Sequence, residues 1–273
     1  MSDRPDEVYS HGHHESVLRS HEWRTAENSA GYLLAHLSAG DDLVDVGCGP
    51  GTITLDLARR VAPGRVVGVD SAGAVVDQAT DRATHEGVGN VTFMHGDAYA
   101  LPADDASFDV AHAHQVLQHL GDPIAALVET RRVLRPGGLL AVRDSDYAAF
   151  AWAPTDERLD RWLQIYHGIT QRNGAQADAG RWLPHWVASA GFVDVTTSSS
   201  TWTFADPESR AWWGGLWADR VRASSFHEQA IAYQLSDAAE LEDIADAFIA
   251  WSTAPSALFV VVHVEVLAHR PPA

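Results

Sequence analysis

Between Leu43 and Thr54 a short apolar run breaks into three glycines and then resumes, Leu-Val-Asp-Val-Gly-Cys-Gly-Pro-Gly-Thr-Ile-Thr. Leu43, Val44 and Val46 are strand formers, and Ile53, Leu55, Leu57, Ala58 and Val61 recur at helical spacing. Strand, tight loop and helix in that order leave few folds open. Gly47, Gly49 and Gly51 permit backbone angles and close approaches that a side chain forbids, which suits a nucleotide-cofactor loop. A dinucleotide fingerprint would run G-x-G-x-x-G. Here the third glycine comes one residue early, and an acid, Asp45, stands two residues before the first. A glycine turn with no ligand is the plain alternative.

Three later segments extend the pattern. Arg65 to Asp70 reads as a second strand ending in an acid, at the spacing where a carboxylate accepts both ribose hydroxyls; the alternative for Asp70 is a helix cap ahead of Ala72–Ala83. Val91 to Ala98 reads as a third strand ending in Asp97 and Ala98, and Ser107 to His114 as a fourth, with Asp109 near its start and His114 and Gln115 at its end. At Val133 to Val142 a helix is expected to stop at Pro136-Gly137-Gly138 before a fifth strand.

The glycine loop, Asp-Val-Gly-Cys-Gly-Pro-Gly-Thr, resembles the first motif of class I S-adenosylmethionine-dependent methyltransferases, and Leu-Arg-Pro-Gly-Gly-x-Leu resembles their later signature. With the two acids between them, the likeness points to the ubiquinone-biosynthesis-like group. It implies an α/β fold: a Rossmann-like, seven-stranded, mostly parallel sheet with helices on both faces, an antiparallel seventh strand and helical insertions around the last strands. It implies S-adenosylmethionine as cofactor, S-adenosylhomocysteine as product, and a cofactor set of Asp45, Gly47, Cys48, Gly49, Gly51, Asp70, Ser71, Asp97, Ala98 and Gln115. Arg24-Thr25-Ala26-Glu27 resembles the N-terminal segment of glycine and sarcosine N-methyltransferases, which would give Arg24 the cofactor carboxylate, through two parallel charge-assisted hydrogen bonds. Three divisions follow: residues 1–40 as a helical lid segment, 41–147 as the cofactor-binding core, and 148–273 as insertions plus the last two strands.

Composition narrows the partners. Acidic residues number 37 against 19 basic ones, a formal charge of −18, and no run of Lys or Arg is visible, which argues against nucleic acid and anionic membranes. Cys48 is the single cysteine, so no internal disulfide forms; no export signal or membrane span is apparent, and a cytoplasmic protein, monomer or homodimer, is expected. Cys48 reads as a small residue that fits the loop, the reactive-thiol alternative being open. His11, His13 and His14 could ligate a metal, but no cysteine or acidic cluster at ligand spacing accompanies them, and no metal is expected.

Most tryptophans lie after residue 150, in helical blocks over Asp156–Ser189 and Pro207–Ser252 that flank strand-like residues at 191–204 and Leu258–Leu267. Aromatics at such spacing pack cores, while Trp152, Trp182, Trp213 and Trp217 are candidates to line an apolar acceptor pocket. The implied chemistry is in-line methyl transfer to N, O, S or C of a small, partly apolar metabolite, which depends on alignment and exclusion of water. Where a base is needed, His14 and His114 are the candidates, with His13, Asp144, Asp146 and Tyr9 behind them. The rivals are a non-catalytic binder of the same cofactor and a nicotinamide-dependent oxidoreductase; an Asn-Pro-Pro-Tyr-type motif, which would mark transfer to base or amide nitrogen, is absent after the fourth strand.

Overall fold

A computed structural model of the chain describes residues 23–273. Its sheet comprises β1 (Leu43–Val46), β2 (Val66–Asp70), β3 (Val91–His95), β4 (Phe108–His114), β5 (Leu134–Ser145), β6 (Ala151–Ala153), β7 (Val193–Phe204) and β8 (Leu258–His269). The order β3-β2-β1-β4-β5 is parallel throughout, and β8 then adds antiparallel to β5. The far edge of β8 carries β7, also antiparallel, while β6 extends the β5 edge by pairing Leu258–Val260. The sheet therefore has the seven expected strands and one more. β6 was not anticipated, since three residues are too few to show a period.

β1 is buried along its whole length, as a parallel strand covered on both faces should be. Helices at Thr52–Val61, Gly73–Glu86 and Pro123–Val133 supply the crossovers, the last starting from an Asp122 cap followed by proline. Among the described residues no helix is long and apolar enough to cross a membrane.

Several boundaries differ from the sequence reading. The single helix expected from Thr25 is two turns, Ala26–Ser29 and Gly31–Leu34, because Ala30 leaves helical geometry and a glycine follows. The first turn is fixed by a reciprocal cap: Thr25 Oγ1 accepts the Asn28 amide and Asn28 Oδ1 accepts the Thr25 amide. Pro136-Gly137-Gly138 does not stop a helix. The preceding helix ends at Val133, and these residues already belong to β5, with Gly137 N–H donating to Arg270 O and Arg270 N–H to Gly138 O. The first late helical block is two helices, Glu157–Arg172 and Ala179–Ser189; the second is three, Pro207–Ala223, Ser225–Ala232 and Ala238–Thr253.

The late helices bury an aromatic core against β7 and β8. Trp162 meets Trp217 edge-on at 4.5 Å and Phe248 at 5.3 Å, and Phe204 stacks on Trp213 at 4.4 Å. Each such pair adds about 0.5–1.5 kcal/mol beyond the area it buries.

Gly51 takes φ +82° at the start of Thr52–Val61, where an added Cβ would lie 2.8 Å from Phe93 Cζ and 3.1 Å from Ala79 Cβ. Gly51→Ala should therefore cost about 1–3 kcal/mol, read as a lower urea midpoint with an unchanged slope.

Candidate active site

A cavity of about 240 Å³ opens at the carboxyl ends of β1, β2, β4 and β5, where the strand order reverses between β1 and β4. That is where open α/β sheets hold ligands. One end is the glycine loop. Gly47 and Cys48 donate their amides to Val69 O at 2.7 and 3.1 Å, stitching the loop to β2. Gly47 has φ +69°, and a Cβ there would sit 2.4 Å from Val116 Cγ2. Asp70 accepts the Gly49 amide on one oxygen (2.9 Å) and the Ala72 amide on the other (3.0 Å). It thus spans the loop and the next helix, with its carboxylate on the cavity wall.

Asp45, Cys48, Ser71, Asp97, Ala98 and Gln115 also line the cavity, whereas Gly51 does not and packs against Phe93 and Ala79. Asp97 holds its own turn, accepting the Tyr99 amide, and Ser71 O is bonded to the His95 ring. Asp45 is nearly buried, and both its oxygens are engaged, one with Thr54 Oγ1 at 2.5 Å and one with His112 Nδ1 at 2.7 Å. Its visible work is to brace β1 against β4 and the following helix. Burial, with Asp45 and Asp70 nearby, pushes the Cys48 thiol well up from its ordinary value, so at neutral pH it is a thiol and not a thiolate.

Arg24 reaches the same cavity from the N-terminal side. Its Nη2 donates to Gln115 Oε1 at 2.6 Å, and Gln115 Nε2 donates to Ser145 Oγ and His263 Nε2, both at 2.8 Å. Gln115 itself takes φ +54°, unusual for a side-chain-bearing residue, and its amide donates to Arg143 O. Trp23 packs on Trp202 at 5.1 Å and Trp212 at 5.4 Å, while Trp202 Nε1 donates to Asn28 O. The segment bearing Arg24 is thereby fastened to β7. His14, with His11, His13 and Tyr9, lies outside the described residues.

Beneath the cavity a buried polar row crosses one face of the sheet. The parallel register sets His114 beside Arg143, and the antiparallel register sets Arg143 beside Glu265. Arg143, 1% exposed, bonds Glu265 Oε1 at 3.3 Å and Ser200 Oγ, and lies 5.0 Å from the Trp202 ring centre. Burial lowers its pKa to about 10, opposed by Glu265. His114 is held neutral by burial first and then by Arg143, Arg24, His263 and His112. His119 is half-buried on the cavity wall, and desolvation lowers its pKa to about 3.

Two of the reserve bases stand elsewhere. Asp144 points to the opposite face of β5, where one oxygen accepts the Gln118 amide. Asp146 is clamped by the Arg181 guanidinium at 2.5 and 2.7 Å.

The other end of the cavity is aromatic: Tyr147, Phe150, Trp202, Trp213 and Trp217, with Arg220 beside them. Trp213 and Trp217 are where the sequence reading put them. Trp152 instead stacks on Phe259 in the core, and Trp182 is 45% exposed on the outside. The sequence reading passed over Trp202, Arg143, His263 and Glu265. One signal was available, because β8 alternates Phe259, Val261, His263, Glu265 on its buried face, placing two polar residues where an apolar strand faces inward.

Fold and site together define an enzyme of the class I S-adenosylmethionine-dependent methyltransferases. The chain belongs to the methyltransferase-domain family, whose profile matches residues 37–191. It is 37% identical over 234 residues to an uncharacterised methyltransferase of Schizosaccharomyces pombe, covering 82% of this chain and 84% of that one. Over 124 residues, 44% of each chain, it is 41% identical to the 27-O-demethylrifamycin SV methyltransferase of Amycolatopsis mediterranei. Among solved structures, the YcgJ protein of the Bacillus subtilis structure superposes with a TM-score of 0.59 at 21% identity, covering 89% of this chain and 98% of that one, a likeness of fold.

Asp144 gives this region a measurable pH signature. Burial raises its carboxyl from 3.8 to about 8, so the folded state holds a proton that the unfolded chain releases. The associated stability is complete below the unfolded value and is lost as pH rises to about 8. Asp144→Asn, which mimics the protonated form, should match the wild type near pH 4. Its melting temperature should exceed the wild type's by a growing margin up to about pH 8, roughly 5 °C or more, and level off above.

Proposed function

We propose that this chain transfers the methyl group of S-adenosylmethionine to a small, partly apolar molecule seated against the tryptophans. The observation that carries the reading is the continuity of one cavity, from the glycine loop and Asp70 at one end to Tyr147, Trp202, Trp213 and Trp217 at the other. The residues present suit the cofactor. The approach at Gly47 is closed to any Cβ, an acid stands at the end of β2, and Arg24 supplies a guanidinium for a carboxylate. When bound, the cofactor supplies an electrophilic sulfonium methyl.

The chain's own part is to orient and to enclose. Asp70 is suited to the ribose hydroxyls, Asp97 and Ala98 to the adenine, and Arg24 to the carboxylate of the methionine portion. Gln115 holds Arg24 in position from the end of β4. The aromatic wall removes water and presents a flat apolar surface, which favours a planar or hydrophobic acceptor over a hydrated one. The formal charge of −18 supports a small molecule over nucleic acid.

Calorimetric titration with S-adenosylmethionine and, separately, with NADH tests the reading. S-adenosylmethionine alone should bind the wild type, and Asp70→Ala should weaken it at least about tenfold, the loss of two hydrogen bonds to a charged group. Binding of NADH, or indifference of S-adenosylmethionine affinity to Asp70→Ala, would sink it. Trp23→Ala, which frees the Arg24 segment from Trp202 and Trp212, should weaken the same affinity without lowering the unfolding free energy by more than about 1 kcal/mol.

A further inference from the structure

We propose that His114 acts as a hydrogen-bond donor to the methyl acceptor, and that the chamber whose wall it shares with Trp213 selects an acceptor that reacts as an oxyanion, a phenolate or an enolate. This rests on the methyl-transfer reading above.

The tautomer follows from what faces the ring. Arg143 Nη1 lies 3.5 Å from His114 Nδ1. A guanidinium offers only donors, so Nδ1 must present its lone pair, and a neutral imidazole then carries its one proton on Nε2. That Nε2 has no protein partner, although the ring is 5% exposed and lines the cavity. Trp213 Nε1, a donor by constitution, is likewise buried, unpartnered and on the cavity wall. Two buried donors therefore await an acceptor atom on a ligand. An unmade buried hydrogen bond is costly, and a ligand that satisfies both is selected over one that satisfies neither.

The charges point the same way. Around His114 stand Arg143 on β5, Arg24 ahead of the first helical turn, His112 on its own strand and His263 on β8. Glu265 is committed to Arg143, and Asp45 to His112 and Thr54. His263 is fixed in the complementary sense: Gln115 Nε2 donates to its Nε2, which leaves the proton on Nδ1. Asp70 and Asp97 lie at the glycine-loop end. The chamber end therefore presents donors and, among the described residues, no uncommitted carboxylate, a setting that suits an anionic oxygen and gives an ammonium group no partner.

With its proton on Nε2, His114 has no lone pair to take a proton from the acceptor. The acceptor's own proton goes to solvent before the chamber closes, and the donors hold the resulting oxyanion. The nucleophile's electron pair, on oxygen or on the enolate carbon, forms the new bond to the methyl carbon. The C–S pair passes to sulfur, leaving a neutral thioether and a neutral methylated product. No proton moves to or from the protein.

The test reads ionisation directly. In saturating S-adenosylhomocysteine, para-nitrophenol and nitrocatechol, whose neutral and ionised forms differ in colour, are titrated with enzyme across pH. The expected result is saturable binding with the bound phenol's pKa lowered by about one unit or more, and no binding of protonated para-nitrobenzylamine. His114→Phe should weaken phenolate binding about tenfold and abolish most of the shift; Trp213→Phe, which keeps a ring and removes the N–H, should do so by a smaller factor.

Calorimetry on the same samples should show S-adenosylhomocysteine affinity unchanged in both variants. Failure of either phenol to bind, a bound pKa equal to the free one, equal binding of the amine, or indifference to both substitutions overturns the proposal. Should His114→Phe not fold, the wild-type shift and Trp213→Phe still decide. Failure of the wild type to bind S-adenosylhomocysteine would overturn the methyl-transfer reading instead, and this inference with it.

Discussion

A guanidinium buried in the middle of a sheet is the constraint around which this molecule is arranged. Removing Arg143 from water costs several kcal/mol, recovered only if its partners are in place. Glu265 on β8, Ser200 on β7 and the face of Trp202 supply them. Each comes from a strand whose register is thereby fixed, since a slip of one residue would turn Arg143 to the face where Asp144 sits. The Arg143 carbonyl holds the Gln115 amide, and Gln115 holds Arg24, so both ends of the cavity are referenced to this one residue.

Rigidity around that charge serves a site that is locally uncomfortable. Gln115 occupies left-handed geometry, a conformation that costs on the order of 1–3 kcal/mol, and His114 and Trp213 leave polar atoms unmade. Such features persist because their surroundings determine them several times over. Gln115 has four hydrogen bonds, to β5, β8 and the N-terminal segment, and Trp213 is wedged between Phe204 and Trp217.

The parts of the site legible in the sequence are those whose physics is local. Gly47, Gly49 and Gly51 lie within one turn, and Asp70 ends a strand of plain β-formers, so backbone freedom and strand period announced the cofactor end. The hidden parts depend on distant partners. Nothing near Gln115 indicates that it meets Arg24, 91 residues away, and the Trp202 indole finds Asn28 across 174. Helical periodicity equally nominated Trp182 and Trp213, but only the packing of the late helices decides which faces inward and which faces solvent. The helix predicted from Thr25 broke because a favourable apolar stripe said nothing of the turn at Ala30 and Gly31.

The two ends of the cavity are built by separate stretches of chain. The glycine-loop end comes from Arg24 and the loops between Asp45 and Ala98; the aromatic end is drawn from Tyr147, Phe150, Trp202 and the helix Pro207–Ala223, with His114 between them. That helix is tied to the chain beyond it, through Arg210 to Ala254 O, and the helix Ala238–Thr253 is tied to β6 through Trp251 to Ala153 O. On the reading proposed above, changes there would reshape what the enzyme accepts while leaving the glycine-loop end as it is. In evolutionary terms that arrangement would separate inheritance from innovation: a lineage could exchange one acceptor for another by rewriting the later half of the chain, with the reagent it spends left constant.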